Sequence, residues 1–215
     1  NLLKEQFNVL NYTDIPSDPD IESIEKAVIK SKEYNVDAII SIGGGSTMDA
    51  GKIVAARLTN NKSIRKMRGL LKITKKPIFM IAVPTTCGTG SECTVASVVT
   101  DLERNEKYAI NDPKLIPQYA VLDPKTLLTL PKHLIATTAL DALTHAIEAY
   151  IGKSNTENTK SHAGSAIHEI MENLIDAYNY PQDLELLAVL QKASYDAGIA
   201  FTKAYVGYVH AFSHA

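Results

Sequence analysis

The spacing of apolar positions changes twice along this chain, and the changes outline its architecture. Over residues 18–36, Ile21, Ile24 and Val28 recur at helical spacing behind Asp18 as a cap and Pro19 in the first turn. The pattern then becomes a short apolar run at 37–42 (DAIISI), which predicts a buried parallel strand. The run Gly43-Gly44-Gly45-Ser46 follows, and a second helix is predicted from about 48 to 58. A second buried strand at 78–83 (IFMIAV) leads into the loop Pro84-Thr85-Thr86-Cys87-Gly88-Thr89-Gly90. Residues 94–100 and 107–110 read as strands joined by the polar turn 101–106, and 119–122 as one more.

After Asp123-Pro124 no strand pattern recurs, and helical periodicity covers 131–151, 159–179 and 184–204. An α/β domain over residues 1–125 followed by an all-helical domain over 126–215 is therefore expected, with the boundary at 123–130. The run NLLKEQF is helix-like and leads into a short extended piece at 8–12, as if a strand preceded it. The apolar pattern up to Ala215 carries no helix stop signal. The chain is accordingly expected to be a piece of something longer, truncated at both ends.

Composition removes several function classes. The 215 residues are 45% hydrophobic with a net charge of −2, enough for one large or two small globular domains. No basic stripe is present, which argues against a nucleic-acid partner. The longest apolar stretch, 77–84, falls far short of the roughly twenty residues that span a bilayer, and no signal-peptide pattern opens the chain. A cytoplasmic protein with no membrane partner is expected. The two cysteines, Cys87 and Cys93, are not spaced as C-x-x-C and imply no disulfide framework, and Cys87 reads as a small loop residue.

Two features carry chemistry. Asp141 and His145 lie four residues apart on a predicted helix, so both side chains can reach one point. Carboxylate plus imidazole suits zinc or ferrous iron better than calcium, although a helical Asp and His are more often a solvated or hydrogen-bonded pair than ligands. The second feature is the strand–glycine–helix sequence at 37–58, whose helix N-terminus can hold a phosphate. It matches neither G-x-G-x-x-G, which would need glycine at Met48, nor a Walker A loop, which fails at Ser46 and Ile53. A glycine turn that merely connects two elements is the alternative. The loop after the second strand, with Thr85, Thr86 and Thr89 and then Thr94, favours a nucleotide crevice formed by both loops at strand ends.

Four stretches occur in a fixed order: Gly43-Gly44-Gly45-Ser46-Thr47-Met48-Asp49 with Lys52, Pro84 to Glu92 (PTTCGTGSE), Asp141-Ala142-Leu143-Thr144-His145-Ala146-Ile147-Glu148, and His210-Ala211-Phe212-Ser213-His214. In this order they resemble the iron-containing (group III) alcohol dehydrogenases, over about residues 18–215. The resemblance implies the two-domain plan shared with dehydroquinate synthase and an oxidoreductase that moves a hydride between NAD or NADP and a small alcohol or aldehyde. It gives Gly43, Gly44, Gly45, Ser46 and Thr47 to the pyrophosphate. Thr85, Thr86, Thr89, Thr94 and Lys107 go to the rest of the cofactor. Asp141, His145 and His210 are assigned to Fe2+ or Zn2+. His214 would face nicotinamide and substrate, in proton transfer or as a hydrogen-bonded support. A further histidine completes the family's metal site beyond the position of His214, and a homodimer is expected. His133, His162 and His168 match no family ligand and read as surface or connecting residues.

Two other readings stay open at this point. A dehydroquinate synthase-like lyase, or a glycerol dehydrogenase-like relative, shares the same plan. Against the lyase, residues 136–215 hold four lysines and no arginine for an acidic substrate. The other is a non-catalytic nucleotide-binding fragment.

Overall fold

The computed structural model describes residues 2–204, 207, 209 and 210. An α/β part precedes a helical part. In the first, helix α1 (Leu2–Gln6) leads through an irregular segment to α2 (Ile21–Glu33), β1 (Ala38–Gly43) and α3 (Gly45–Thr59). Strands β2 (Gly69–Leu70), β3 (Phe79–Pro84), β4 (Ala96–Asp101), β5 (Glu106–Asn111) and β6 (Tyr119–Ala120) follow. The helical part consists of α4 (Lys132–Ile151), α5 (Glu157–Asn179) and α6 (Leu184–Ala204).

The strands form two three-stranded sheets, ordered β1-β3-β6 and β2-β5-β4. In the first all pairings are parallel, and the register sets Gly43 opposite Pro84. That single pairing positions the site, because both predicted loops leave the sheet at the same level, side by side. The amide of Thr85 donates to the Gly43 carbonyl at 3.0 Å and continues the ladder one residue into the loops. In the second sheet β4 and β5 are antiparallel, while β2 pairs parallel to β5.

Several boundaries differ from the sequence pattern for local reasons. Helix α2 begins at Ile21, because Asp20 rather than Asp18 is its cap, accepting the Ser23 amide at 2.9 Å; Pro19 stays outside the helix. Helix α3 starts at Gly45, three residues before the predicted position, since Gly44 serves as its N-cap directly after β1 and Gly45, Ser46 and Thr47 form its first turn. Residues 91–93 form a 3-10 turn, so β4 begins at Ala96. Helix α5 begins at Glu157 behind a reciprocal cap between Thr156 and Thr159. The two-residue β2 was not predicted, and no strand forms at residues 8–12.

The core falls into separate apolar clusters. In the α/β part Ile24, Ile53, Ile64, Met67, Val99 and Ile110 pack between helices and strands. Helix α3 is also clamped to α2 by Arg57, whose Nε and Nη2 donate to the two Glu25 oxygens at 2.8 and 2.9 Å. In the helical part the interface is built largely from Ala139, Ala142, Ala146, Ala149, Ala163, Ala166, Ala193, Ala197 and Ala200. Small side chains at helical spacing let the three helices approach closely, and the polar residues between them are carried inward with the backbone.

Contacts between the parts gather at the loop after β3. The Pro84 carbonyl accepts from Thr126 at 2.7 Å and from the buried Gln191 amide of α6 at 3.3 Å. Gly90, at φ 60°, lies against Gly198 of α6, where a Cβ on Gly90 would fall 2.7 Å from the Gly198 Cα. Only glycine at both positions allows that approach.

Candidate functional site

Five of the ten residues assigned to the cofactor and all three assigned to the metal meet at one cavity of about 870 Å³. Its wall includes Gly45, Ser46, Thr89, Thr94 and Lys107 from the α/β part together with Asp141, His145 and His210. A volume of this size suits a small-molecule ligand.

The side expected to hold a nucleotide is built by the two loops. Gly44 is the N-cap of α3, and the first intrahelical bond runs from the Met48 amide to the Gly44 carbonyl at 3.1 Å. The amides of Gly45, Ser46 and Thr47 therefore precede the helical ladder at a helix N-terminus, the arrangement that favours an anion. The loops also pack on each other. A Cβ on Gly44 would lie 3.3 Å from the Thr86 methyl, and one on Gly45 2.7 Å from that of Thr89. Gly43 is excluded from bearing a side chain by Thr47, at 2.5 Å. Gly43, Gly44, Thr47, Thr85 and Thr86 thus shape the loops from behind and are not among the cavity-lining residues, although the Thr86 hydroxyl is buried without a partner.

Replacing Gly45 with valine is expected to wedge the loops apart and cover the helix N-terminus. The NAD(P)H dissociation constant should rise at least about tenfold, roughly 1.4 kcal/mol. Fluorescence titration checks this, and an unchanged constant in a folded variant would remove the loop from the site.

Lys107 reaches the cavity paired to Asp18, with Nζ 2.8 Å from the carboxylate. The Thr94 hydroxyl accepts from the buried Lys52 ammonium at 3.1 Å. Leu70 and Leu71, both exposed, line the same cavity, and Leu71 adopts a left-handed φ of 54°, unusual for a branched side chain.

At the other cluster, ligand atoms of Asp141, His145 and His210 lie within 4.8 Å of one another. The i, i+4 spacing on α4 presents the first two, and the segment after α6 brings in His210. His145 is stacked between Phe201 and His210, both ring centroids 4.2 Å away. Burial pushes its pKa down to about 4, the charge of Asp141 opposing. Its ring is neutral at pH 7 and can offer a lone pair. Its Nδ1 makes no hydrogen bond of normal geometry, although the Gly88 backbone acts on it in favour of the protonated form.

His210 is held differently. Its Nε2 lies 3.6 Å from Asp141 Oδ1, and its Nδ1 lies 2.5 Å from Glu148 Oε2. Asp141, then Glu148, raise its pKa above the usual histidine value against the effect of burial. Burial opposes ionisation of Glu148, but the amides of Gly207 and Val209 and the His210 ring outweigh it and hold the carboxyl below its usual range. Two imidazoles and a carboxylate around one point, one ring already bonded through its other nitrogen, form a donor set that fits a borderline divalent cation.

His214 lies outside the described residues. His133 and His168 are exposed, whereas His162 bonds the buried Asp196 at 3.0 Å and ties α5 to α6. Cys87 is buried against Thr138, its pKa raised by burial, as suits a packed loop residue. The sequence pattern gave no place in the site to Glu148, Asp18, Phe201, Thr202 or the Leu70–Leu71 pair, all of which line or brace the cluster and cavity. For Glu148 a signal existed: it lies seven residues after Asp141 and three after His145, on the same helical stripe.

Fold and site define a class, an α/β unit whose glycine loop opens onto a cavity shared with a carboxylate–imidazole cluster on a helical unit. The comparisons place it. The family described as "Iron-containing alcohol dehydrogenase" matches residues 1–124, and its C-terminal counterpart matches residues 135–215. The chain belongs to the iron-containing alcohol dehydrogenase family.

Among its relatives, an NAD-dependent methanol dehydrogenase of Bacillus methanolicus is 35% identical over 214 residues, covering 100% of this chain and 56% of that protein. Alcohol dehydrogenase 4 of Saccharomyces cerevisiae is 37% identical over 213 residues, covering 99% and 56%. An alcohol dehydrogenase structure from Oenococcus oeni superposes with a TM-score of 0.96 at 33% identity, covering 99% of this chain and 56% of its own. The chain thus spans just over half the length of these relatives. Among the described residues, no helix is long and apolar enough to cross a membrane.

Proposed function

We propose that this chain carries the cofactor and metal-ligand residues of an NAD(P)-dependent dehydrogenase that interconverts a small alcohol and its aldehyde. The observation that supports this most directly is the shared cavity, whose wall includes Gly45, Ser46 and Lys107 along with Asp141, His145 and His210. The α3 N-terminus and Lys107 would hold the anionic part of NAD or NADP, and Asp141, His145 and His210 would hold a divalent ion, Fe2+ in the family's pattern. When bound, the ion supplies Lewis-acid polarisation of the substrate oxygen and the nicotinamide supplies the hydride chemistry.

The chain's own residues set the conditions for both. Asp141 brings the negative charge that attracts a cation, and burial keeps His145 neutral and able to ligate. His210 must give up its Nε2 proton to become a ligand, so ion affinity should fall as the pH falls. Phe201 covers a face of His145 and keeps water from that side of the ring. His214 keeps the place beside nicotinamide and substrate that the resemblance gives it. The split of the family match at residues 124 and 135 supports dividing the chain into domains 1–125 and 126–215. A homodimer and a cytoplasmic location belong to the same proposal.

The family membership does not favour the lyase or the non-catalytic reading, and residues 136–215 hold four lysines and no arginine for an acidic substrate. Metal analysis of the purified protein, followed by NAD(P)H oxidation with a series of short aldehydes, tests the proposal. Bound iron or zinc together with aldehyde-dependent oxidation is expected. Failure to bind either metal or NAD(P)H would overturn it.

A further inference from the structure

We propose that Glu148 is a positioning residue that sets His210 as a metal ligand, grasping the ring by Nδ1 and the preceding backbone by two amides so that Nε2 is turned to Asp141. The proposal rests on the ion-binding assignment of Asp141, His145 and His210 given above.

Three donors converge on this one carboxylate. Oε2 accepts the Gly207 amide at 2.7 Å and His210 Nδ1 at 2.5 Å, and Oε1 accepts the Val209 amide at 2.7 Å. The side chain is 6% exposed, so these bonds are made away from bulk water. Gly207 has a steric reason to be glycine, since a Cβ there would fall 2.9 Å from Glu148 Oε1 and 3.0 Å from Cδ. Helix α4 therefore supplies two ligands from its own stripe and recruits the third through Glu148, one turn further along the same face.

The chemistry follows from what a carboxylate can do. An ionised carboxylate only accepts, so its bond to Nδ1 places the ring hydrogen there and leaves the Nε2 lone pair for the ion. Glutamine has nearly the same shape but offers an N–H2 group in place of one oxygen. Whichever way that amide is turned, a donor faces a donor at one or more of the three contacts. Glu148→Gln should therefore loosen both the ring tautomer and the His210 segment while removing little volume.

The test uses metal-stripped protein titrated with Zn2+ against a chelating dye, with NAD(P)H affinity measured in parallel. For Glu148→Gln the Zn2+ dissociation constant is expected to rise about 10- to 100-fold, the usual consequence of losing the outer partner of a ligating histidine. NAD(P)H affinity should stay unchanged. In the Zn2+-loaded parent, 15N NMR of His210 should show hydrogen on Nδ1, a signature that Glu148→Gln weakens or abolishes. Gly207→Ala presses on the same carboxylate without altering α4 and should shift Zn2+ affinity in the same direction, which keeps the test informative if Glu148→Gln folds poorly. His145→Ala separates the ion site from the role of Glu148. Loss of Zn2+ there, with unchanged affinity in Glu148→Gln and Gly207→Ala, would overturn the role of Glu148 alone. Unchanged affinity in all three would overturn the ion site and this proposal with it.

Discussion

His145→Ala is expected to empty the metal site and abolish alcohol oxidation while leaving NAD(P)H binding nearly intact. His145 shares α4 with Asp141 and stands between Phe201 and His210, so its loss removes a proposed ligand and the stacked ring that abuts His210. No other described His, Cys, Asp or Glu joins Asp141 and His210 in this cluster. Affinity for Fe2+ or Zn2+ should fall by at least about 100-fold, the upper end of what the loss of an outer-shell partner alone produces. The glycine loop lies on other elements, between β1 and α3, away from this ring. Metal content by elemental analysis, alcohol-dependent NAD(P)+ reduction and NAD(P)H titration on one preparation decide the matter. Full metal occupancy in the folded variant would sink the assignment of His145.

Much of this arrangement is legible in the chain itself. Short apolar runs and period-3.6 patterns locate β1, β3 and the three long helices. Yet β1 is not the buried strand its run predicts, since Ser41 is buried while Ile40 and Ile42 are exposed on the other face. The D-x-x-x-H spacing is a local property of one helix, and it presents Asp141 and His145 together as drawn. Boundaries are less legible where capping chemistry competes. Asp18 and Asp20 look equally suited to cap α2, and only the structure shows Asp20 accepting the Ser23 amide. The early start of α3 is hidden by three glycines, whose intrinsic helix propensity is poor but whose turn is fixed by packing against Thr47, Thr86 and Thr89. The role of Glu148 is less visible still, because its partners Gly207, Val209 and His210 lie about sixty residues away and only the α4–α5–α6 packing brings them back to it. Lys52 is the sharpest case. In sequence it is a polar residue inside an otherwise apolar stretch of α3, and in the structure its side chain is fully buried.

Lys52→Met is expected to destabilise the protein by about 3–5 kcal/mol, the typical consequence of removing one partner from a buried ion pair. The Lys52 ammonium donates to the Thr94 carbonyl at 3.1 Å, the Thr94 hydroxyl at 3.1 Å and the Ala96 carbonyl at 2.8 Å, and lies 3.9 Å from Asp49. Asp49 in turn accepts the Ser91 hydroxyl at 2.6 Å and the Val98 amide at 2.8 Å. Burial pushes Lys52 down and Asp49 up from their usual pKa values, and each opposes the shift of the other. The i, i+3 pair on α3 is thus the polar rivet between the glycine-loop helix, the 91–93 turn and β4. Methionine fills the volume but leaves the Asp49 charge and two carbonyls without their cation. For a protein of this size the melting temperature should drop by roughly 6–20 °C. Replacing both residues, Lys52→Met with Asp49→Leu, should cost less than the sum of the single changes, since neither charge is then left stranded. Thr94, Ala96 and Val98 also line the cavity, so NAD(P)H affinity should weaken along with stability in Lys52→Met. Urea unfolding of the parent, both single variants and the double variant gives the coupling directly, and additive effects, or a Lys52→Met protein as stable as the parent, would show that the rivet does not hold.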